Sequence, residues 1–551
     1  MRRSVPSVLA VAALGVTTLV AAGAGTGPVS ADPRAAAGAD EPTKVVVILV
    51  DALSRQVVDR YDMDNVQALM QRGTDYPRST LGHLGAETVV THNVLTTGVL
   101  PKRMGWSDEY IRDVDGVLDA GSPEPGNPYW LTGSLTRDQM FALQHHAGYP
   151  KLADYLHMSQ PGSTVATVSP KTYAAWGMGG SGSDIIVTFS SRNYDCDGDT
   201  TPDLTWRGPD GVRVPDYLRS PECGRFYVES SSSIQYDTDR SPAWMYPLDG
   251  NRYVVGRDPE HQGSDVWAAD AALKIMRNES DWSGMFLSLP GLDKAAHMWG
   301  GIDDPGGPAP MTHMRRAAAV ADEQVGRVMG YLRRSGQLED TLVVLTADHG
   351  QQPSRHFHGV DAAGQGDYNW YYGNSANGDY DDPSPALQPL IDTGNVDISF
   401  QDGAIRTWLD DRSDDATAET AAVMEELPGV TAVWAREGRH YEKVSSLGRA
   451  GMGDAEWAWF RNHAQTLVDT EAASYGPDLI ATLRDNTSYG VAGDHGGINR
   501  NVQRIPIVFA GAGTTPADSN APIRSVDIMP TVLDMMGIGV VRPMDGRAYT
   551  P

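Results

Sequence analysis

Cysteine is nearly absent: two residues in 551. That excludes a thiolate metal cluster and a small scaffold held by disulfides, and it leaves at most one bridge. Basic residues are also scarce. Lys and Arg number 44 against 71 Asp and Glu, a formal charge of −27. Such a balance excludes nonspecific binding of duplex nucleic acid or anionic membrane through a basic face. A small anionic substrate is still allowed, because bound cations can reverse the sign locally. After the N-terminal segment, no apolar run approaches the roughly 20 residues of a membrane span. The 40% hydrophobic and 21% charged fractions are those of a globular chain with a sizeable core.

The N-terminus reads as an export signal over residues 1–31. Arg2 and Arg3 precede the uncharged run Val8 to Ala22, and Val29-Ser30-Ala31 offers small residues for cleavage. A retained anchor is the alternative, but Gly25, Gly27 and Pro28 interrupt the run. The arginine pair leaves the general and twin-arginine routes both open. A linker, 32–43, follows. Export places the protein outside the cell and would permit a Cys196–Cys223 disulfide.

Short β-branched runs alternate with helical patterns along the rest of the chain, which predicts an α/β fold with a mostly parallel central sheet flanked by helices. Lys44–Val50, Met285–Leu289, Thr341–Thr346 and Ile505–Ala510 are expected strands, as are Val165–Val168 and Ile185–Phe189. Expected helices include 65–72, Thr88–Thr97, 265–276 and 311–334. The Gly-, Pro-, Asp- and Ser-rich stretch 177–262 reads as an insertion. A strand-like segment, a helix over 416–427 and a second strand over 430–434 suggest a small α+β subdomain, 396–475. It would interrupt a catalytic domain formed by 44–395 and 476–551.

Three of the expected strands end in acid: Asp51 after the first, Asp293 after Met285–Leu289, and Asp348 after Thr341–Thr346. Ligands of open α/β sheets gather beyond the carboxyl ends of strands, so these three should converge. Each alone is more often a turn former or a cap. Histidines change the balance. His297 lies one helical turn after Asp293, His349 adjoins Asp348, and His495 sits in Gly493-Asp494-His495-Gly496-Gly497. Carboxylate oxygen and imidazole nitrogen together suit zinc, or another divalent metal.

In this order the motifs VDA, ETVVTHNVLTTGVLP, LDKAAHMWG, LTADHG, GDHGG with RIPIVFAGAG, and SVDIMPTVLDMMGI resemble the alkaline phosphatase superfamily. The closest branch is the type I phosphodiesterase/nucleotide pyrophosphatases. The resemblance implies two zinc ions, one on Asp293, His297 and His495, the other on Asp51, Asp348, His349 and the nucleophile's oxygen. It also implies a threonine nucleophile nine residues before a Thr-Gly pair. Thr97-Gly98 is that pair and Thr88 the nucleophile, with Thr91 and His92 at the family's Asn and His positions. Thr91 would then be a substrate contact with a shorter reach than Asn. Thr88 would also open a helix whose N-terminal amides and dipole favour an anion, or serve simply as its cap. Two zinc ions against three aspartates leave a positive centre. In-line attack by Thr88, a phospho-threonine and its hydrolysis by water would follow.

Other features carry weaker readings. His356 and His358 suit a loop at the rim of the site. Asp195, Asp197, Asp199 and Asp203 partly resemble a calcium loop, but Thr200 and Trp206 stand where Gly and Glu are required, so a solvated acidic loop is the better reading. Tyr368, Trp370, Tyr371 and Tyr372 could stack on a substrate ring or merely anchor a loop. The resemblance favours a secreted phosphodiesterase or nucleotide pyrophosphatase acting on a small phosphate ester or nucleotide. A phosphomonoesterase and a sulfatase are the enzymatic alternatives. Thr88-Val89-Val90-Thr91-His92 lacks the Pro and Arg of a sulfatase's C/S-x-P-x-R. A non-enzymatic extracellular binding protein ranks last, since every ligand position is filled.

Overall fold

The structure is a computed structural model. It describes residues 41–118, 128–130, 135–190, 205–207, 215–219, 264–299, 301–302, 310–353, 356–357, 387–489 and 493–551. Strands are labelled in chain order: β1 Lys44–Val50, β2 Thr74–Asp75, β3 Thr164–Val168, β4 Ile185–Ser190, β5 Thr205–Arg207, β6 Trp282–Leu289 and β7 Thr341–Thr346. They continue with β8 Val396–Gln401, β9 Ala404–Leu409, β10 Val430–Glu437, β11 His440–Ser446, β12 Leu479–Leu483, β13 Val508–Gly511 and β14 Ala517–Asp518.

The large sheet runs in the order β14-β2-β13-β7-β1-β6-β3-β4-β5. Its middle, β7-β1-β6-β3-β4, is entirely parallel. Continuous apolar runs form these strands because helices bury both faces; Val45 to Val50 are 0% exposed. β13 joins antiparallel to β7 and starts later than the expected Ile505–Ala510. Pro506 has no N–H to donate to a ladder, which explains the later start. Register decides the rest. Val50 lies opposite Leu289, and Leu49 opposite Thr346, so the chain leaves β1, β6 and β7 at a common edge.

The stretch 177–262 begins inside this layer, since helix Thr172–Gly179 and β4 both precede its undescribed part. Cys196, Cys223, the acidic run from Asp195 to Asp203, His358 and the aromatics Tyr368 to Tyr372 lie outside the described residues, as do residues 1–40.

The small sheet is antiparallel throughout, ordered β8-β9-β12-β10-β11. Its central strand, β12, comes from beyond residue 475, so the chain returns through this sheet before reaching His495. Alternation gives it two buried faces. Ile405, Val433 and Ala481 pack with Met424 of helix Asp414–Glu425, while Ala404, Trp434 and Ile480 pack with Phe460 of helix Asp454–Val468.

Ile48 sits at the centre of the main core with no exposed surface. Ile48→Ala should destabilise the protein by about 2–5 kcal/mol, seen as a lower denaturation midpoint. An unchanged midpoint would contradict the packing described here.

Candidate metal centre and active site

The common edge gathers the acids. Asp51 follows β1 directly, and its N–H donates to Leu289 O at 3.0 Å. Ala52, the next residue, takes a left-handed φ of 64° and turns its N–H onto Asp348 Oδ1 at 3.2 Å. The same oxygen accepts from the His349 N–H at 3.0 Å. With Oδ1 thus held, Asp348 Oδ2 faces inward. His349 Nδ1 lies 3.1 Å from Gly350 O, which leaves Nε2 as the nitrogen with a lone pair.

Three buried atoms at this point have no hydrogen-bond partner: Asp51 Oδ1, Asp348 Oδ2 and His349 Nε2. His349 Nε2 is 3.4 Å from Asp51 Oδ1 and 3.7 Å from Asp348 Oδ2. Buried polar atoms are rarely left in this state. A carboxylate pair and an imidazole aimed at one point form a ligand set for a divalent cation. Asp51, Asp348 and His349 thus form one candidate metal group; Asp293, His349 and His495 form a second.

His349 is therefore shared between the groups. Its ring stacks on His495 at 3.7 Å, and His495 lies 5.0 Å from His297 between ring centres. His297 Nε2 approaches Asp293 Oδ1 to 3.1 Å, one helical turn away, and His495 Nε2 stands 3.8 Å from the same oxygen. The two expected clusters thus form one continuous constellation. His356 lies on a short strand pairing with Thr487–Ser488.

Charge explains the pKa directions. Burial, reinforced by Asp293 and Asp348, pushes the Asp51 carboxyl well above its usual range. Burial pushes Asp348 up to about 6, against the pull of Lys171. Burial lowers His349, and burial with His349 lowers His495 further. Carboxylates and neutral imidazoles crowded away from water are what a cation would stabilise.

Thr88 is the first residue of the buried helix Thr88–Thr97, and Glu87, not Thr88, holds the cap position. The cap reading of Thr88 therefore fails; its hydroxyl oxygen instead accepts from Lys171. The expected open amides are also partly taken, because Val89 N–H donates to Glu109 Oε1 at 3.2 Å. Thr91 Oγ1 faces buried His83 Nε2 at 3.4 Å, a position one turn along the helix from Thr88. His92 Nδ1 reaches back to Thr88 O at 2.7 Å, and burial lowers its pKa to about 3, so it serves as a neutral brace.

Lys171 is the residue that the sequence did not disclose. Its Nζ donates to Asp51 Oδ2 at 2.5 Å, Asp293 Oδ2 at 2.9 Å and Thr88 Oγ1 at 3.3 Å. Burial works against the ammonium, but Asp293 and Asp51 outweigh it and hold its pKa well above the ordinary lysine value. The available signal was positional: Lys171 lies three residues after β3, on the edge where the acids emerge. Gln351 also went unnoticed; its amide donates to Asp293 Oδ1 at 3.3 Å.

A model of the type I phosphodiesterase/nucleotide pyrophosphatase family matches residues 45–446. The chain belongs to this family. Type I phosphodiesterases and their alkaline phosphatase relatives hydrolyse phosphate esters, and phosphate-ester hydrolysis is the activity this membership supports. Alkaline phosphatase PhoK of Sphingomonas is 27% identical over 580 residues, covering 92% of this chain and 91% of that protein. Alkaline phosphatase PhoD of Zymomonas mobilis is 22% identical over 543 residues, covering 91% and 87%. The crystal structure of alkaline phosphatase PafA superposes with a TM-score of 0.62 at 14% identity, covering 93% and 98%. Murine ectonucleotide pyrophosphatase/phosphodiesterase 5 gives 0.52 at 11%, covering 91% and 97%. The fold is alkaline phosphatase-like.

Lys171 offers a test of the charge balance. Without metal, Lys171→Ala should leave buried carboxylates uncompensated and cost about 3–5 kcal/mol. Added zinc should offset much of that loss. Thermal unfolding of both proteins, with chelator and with zinc, checks it; an equal midpoint in chelator would contradict the role given to Lys171.

Proposed function

We propose that this protein is an exported, zinc-dependent phosphate-ester hydrolase whose nucleophile is Thr88. The observation that carries the reading is the set of three partnerless buried ligand atoms, Asp51 Oδ1, Asp348 Oδ2 and His349 Nε2, beside a threonine at a helix start. Asp51, Asp348 and His349 would hold one cation together with Thr88, and Asp293, His297 and His495 the other. Bound zinc supplies Lewis acidity, lowering a coordinated hydroxyl's pKa and neutralising charge on the phosphate.

The chain's own groups supply the rest. Thr88 attacks phosphorus in line, the bond to the leaving oxygen breaks, and a phospho-threonine forms. Water then cleaves the Thr88 ester, releasing phosphate and restoring the hydroxyl. His92 and the buried helix behind it keep Thr88 from turning away. The N-terminal segment with its Arg2-Arg3 pair supports export, and no helix among the described residues is long and apolar enough to cross a membrane.

Two observations favour a monoester substrate. The Lys171 ammonium beside Thr88 Oγ1 suits the second negative charge of a terminal phosphate. Both relatives matched along nearly their whole length are alkaline phosphatases. The diester or nucleotide pyrophosphate reading rests on the family description and on the AMP complex of an inactive murine ectonucleotide pyrophosphatase/phosphodiesterase 5. Comparing p-nitrophenyl phosphate, bis-p-nitrophenyl phosphate and a nucleotide separates the two. Preference for the first by kcat/KM supports the monoester, and preference for either of the others overturns it.

Thr88→Ala should lower kcat by about a thousand-fold or more while both zinc ions remain bound. Metal analysis with steady-state kinetics checks this. Turnover near that of the unaltered protein would place the nucleophile elsewhere.

A further inference from the structure

The small sheet reaches into the metal centre through the turn between β8 and β9. Asp402 Oδ2 lies 3.2 Å from His495 Nδ1, and the Asp402 side chain is only 12% exposed. Ala86 O stands 3.2 Å from the same nitrogen. The hydrogen bond to Ala86 O places the proton on Nδ1, which the Asp402 carboxyl also faces, and leaves the Nε2 lone pair turned toward Asp293.

The turn is locked in this position by backbone contact. Gly403 has a φ of +65°, and a Cβ there would lie 2.2 Å from His495 O and 2.3 Å from Gly496 O. From the other side, a Cβ on Gly496 would meet Asp402 O at 2.0 Å. Only glycines permit so close an approach. Arg406, buried on β9, donates to Asp402 O at 2.9 Å, and Gly403 N–H reaches Asp494 Oδ2 at 3.4 Å. The carboxyl of Asp402 is thus carried to His495 on a rigid strand end rather than on a free loop.

We propose that Asp402 is a positioning residue for the metal centre: its carboxyl, facing His495 Nδ1 at 3.2 Å, orients that imidazole and strengthens its hold on zinc. This rests on the assignment of His495 as a zinc ligand, and it makes the small sheet part of the active site. Carboxylates behind ligating histidines raise metal affinity by about 10–100-fold; Ala86 O holds the Nδ1 hydrogen bond here, so the lower end applies.

Zinc affinity, measured by chelator competition, tests it in the unaltered protein, Asp402→Ala, His495→Ala and the double variant. Asp402→Ala should bind zinc about tenfold more weakly, and adding it to His495→Ala should cost nothing further. An ordinary structural role would weaken both backgrounds alike. Unaltered affinity in Asp402→Ala, or additive losses in the double variant, overturns the proposal. Unaltered affinity in His495→Ala overturns instead the ligand assignment beneath it. Should Asp402→Ala fail to fold, Asp402→Leu is measured in its place: it keeps the side chain's size but carries neither charge nor an acceptor. Affinity equal to the unaltered protein would then overturn the proposal.

Discussion

The site is governed by negative charge that cannot escape to water. Register delivers Asp51, Asp293 and Asp348 to one buried edge, where Lys171 supplies one positive charge against three carboxylates. Such crowding is costly in a low-dielectric interior and would not persist unless something else balanced it. The proposed cations would balance it, and the proposed hydrolysis needs them in the same place. The electrostatic strain of the constellation and its proposed capacity to bind metal are therefore one property.

A second buried network ties the helix that begins at Thr88 to the small sheet. Arg406 on β9 is 0% exposed; its guanidinium lies 3.1 Å from Glu87 and also contacts Asp108. Glu87 is the cap residue immediately before Thr88. Burial pushes the Glu87 and Asp108 carboxyls upward while Arg406 pulls both back. Through Arg406 the strand that presents Asp402 to His495 also fixes the turn that launches Thr88. The proposed metal ligand His495 and the turn before the proposed nucleophile Thr88 thus both lie against the same five residues, 402–406. Polar networks of this kind specify a geometry at a cost in burial, which suits a site where small displacements matter.

The sequence by itself determined the parallel core, the acids at its strand ends and the candidate zinc-binding histidines. These are local facts: continuous apolar runs predict buried strands, and the residue after a strand must emerge at its edge. It also marked Thr88 as a helix start, although the cap proved to be Glu87. Tertiary structure alone decided what meets across long separations. Lys171 follows an ordinary strand, and nothing beside it in sequence says that Asp51 and Asp293 will clasp its ammonium. Asp402 is an unremarked acid in a Gln-Asp-Gly turn until the glycines at 403, 496 and 497 let two backbones touch. His349 sits in the same motif whether it serves one cation or lies between two, and only its stacking on His495 reveals the shared position. Strand patterns are written in neighbouring side chains, whereas the partners of a buried charge are chosen by packing. The sequence therefore determined the types of ligand, and the fold decided which residues stand behind them.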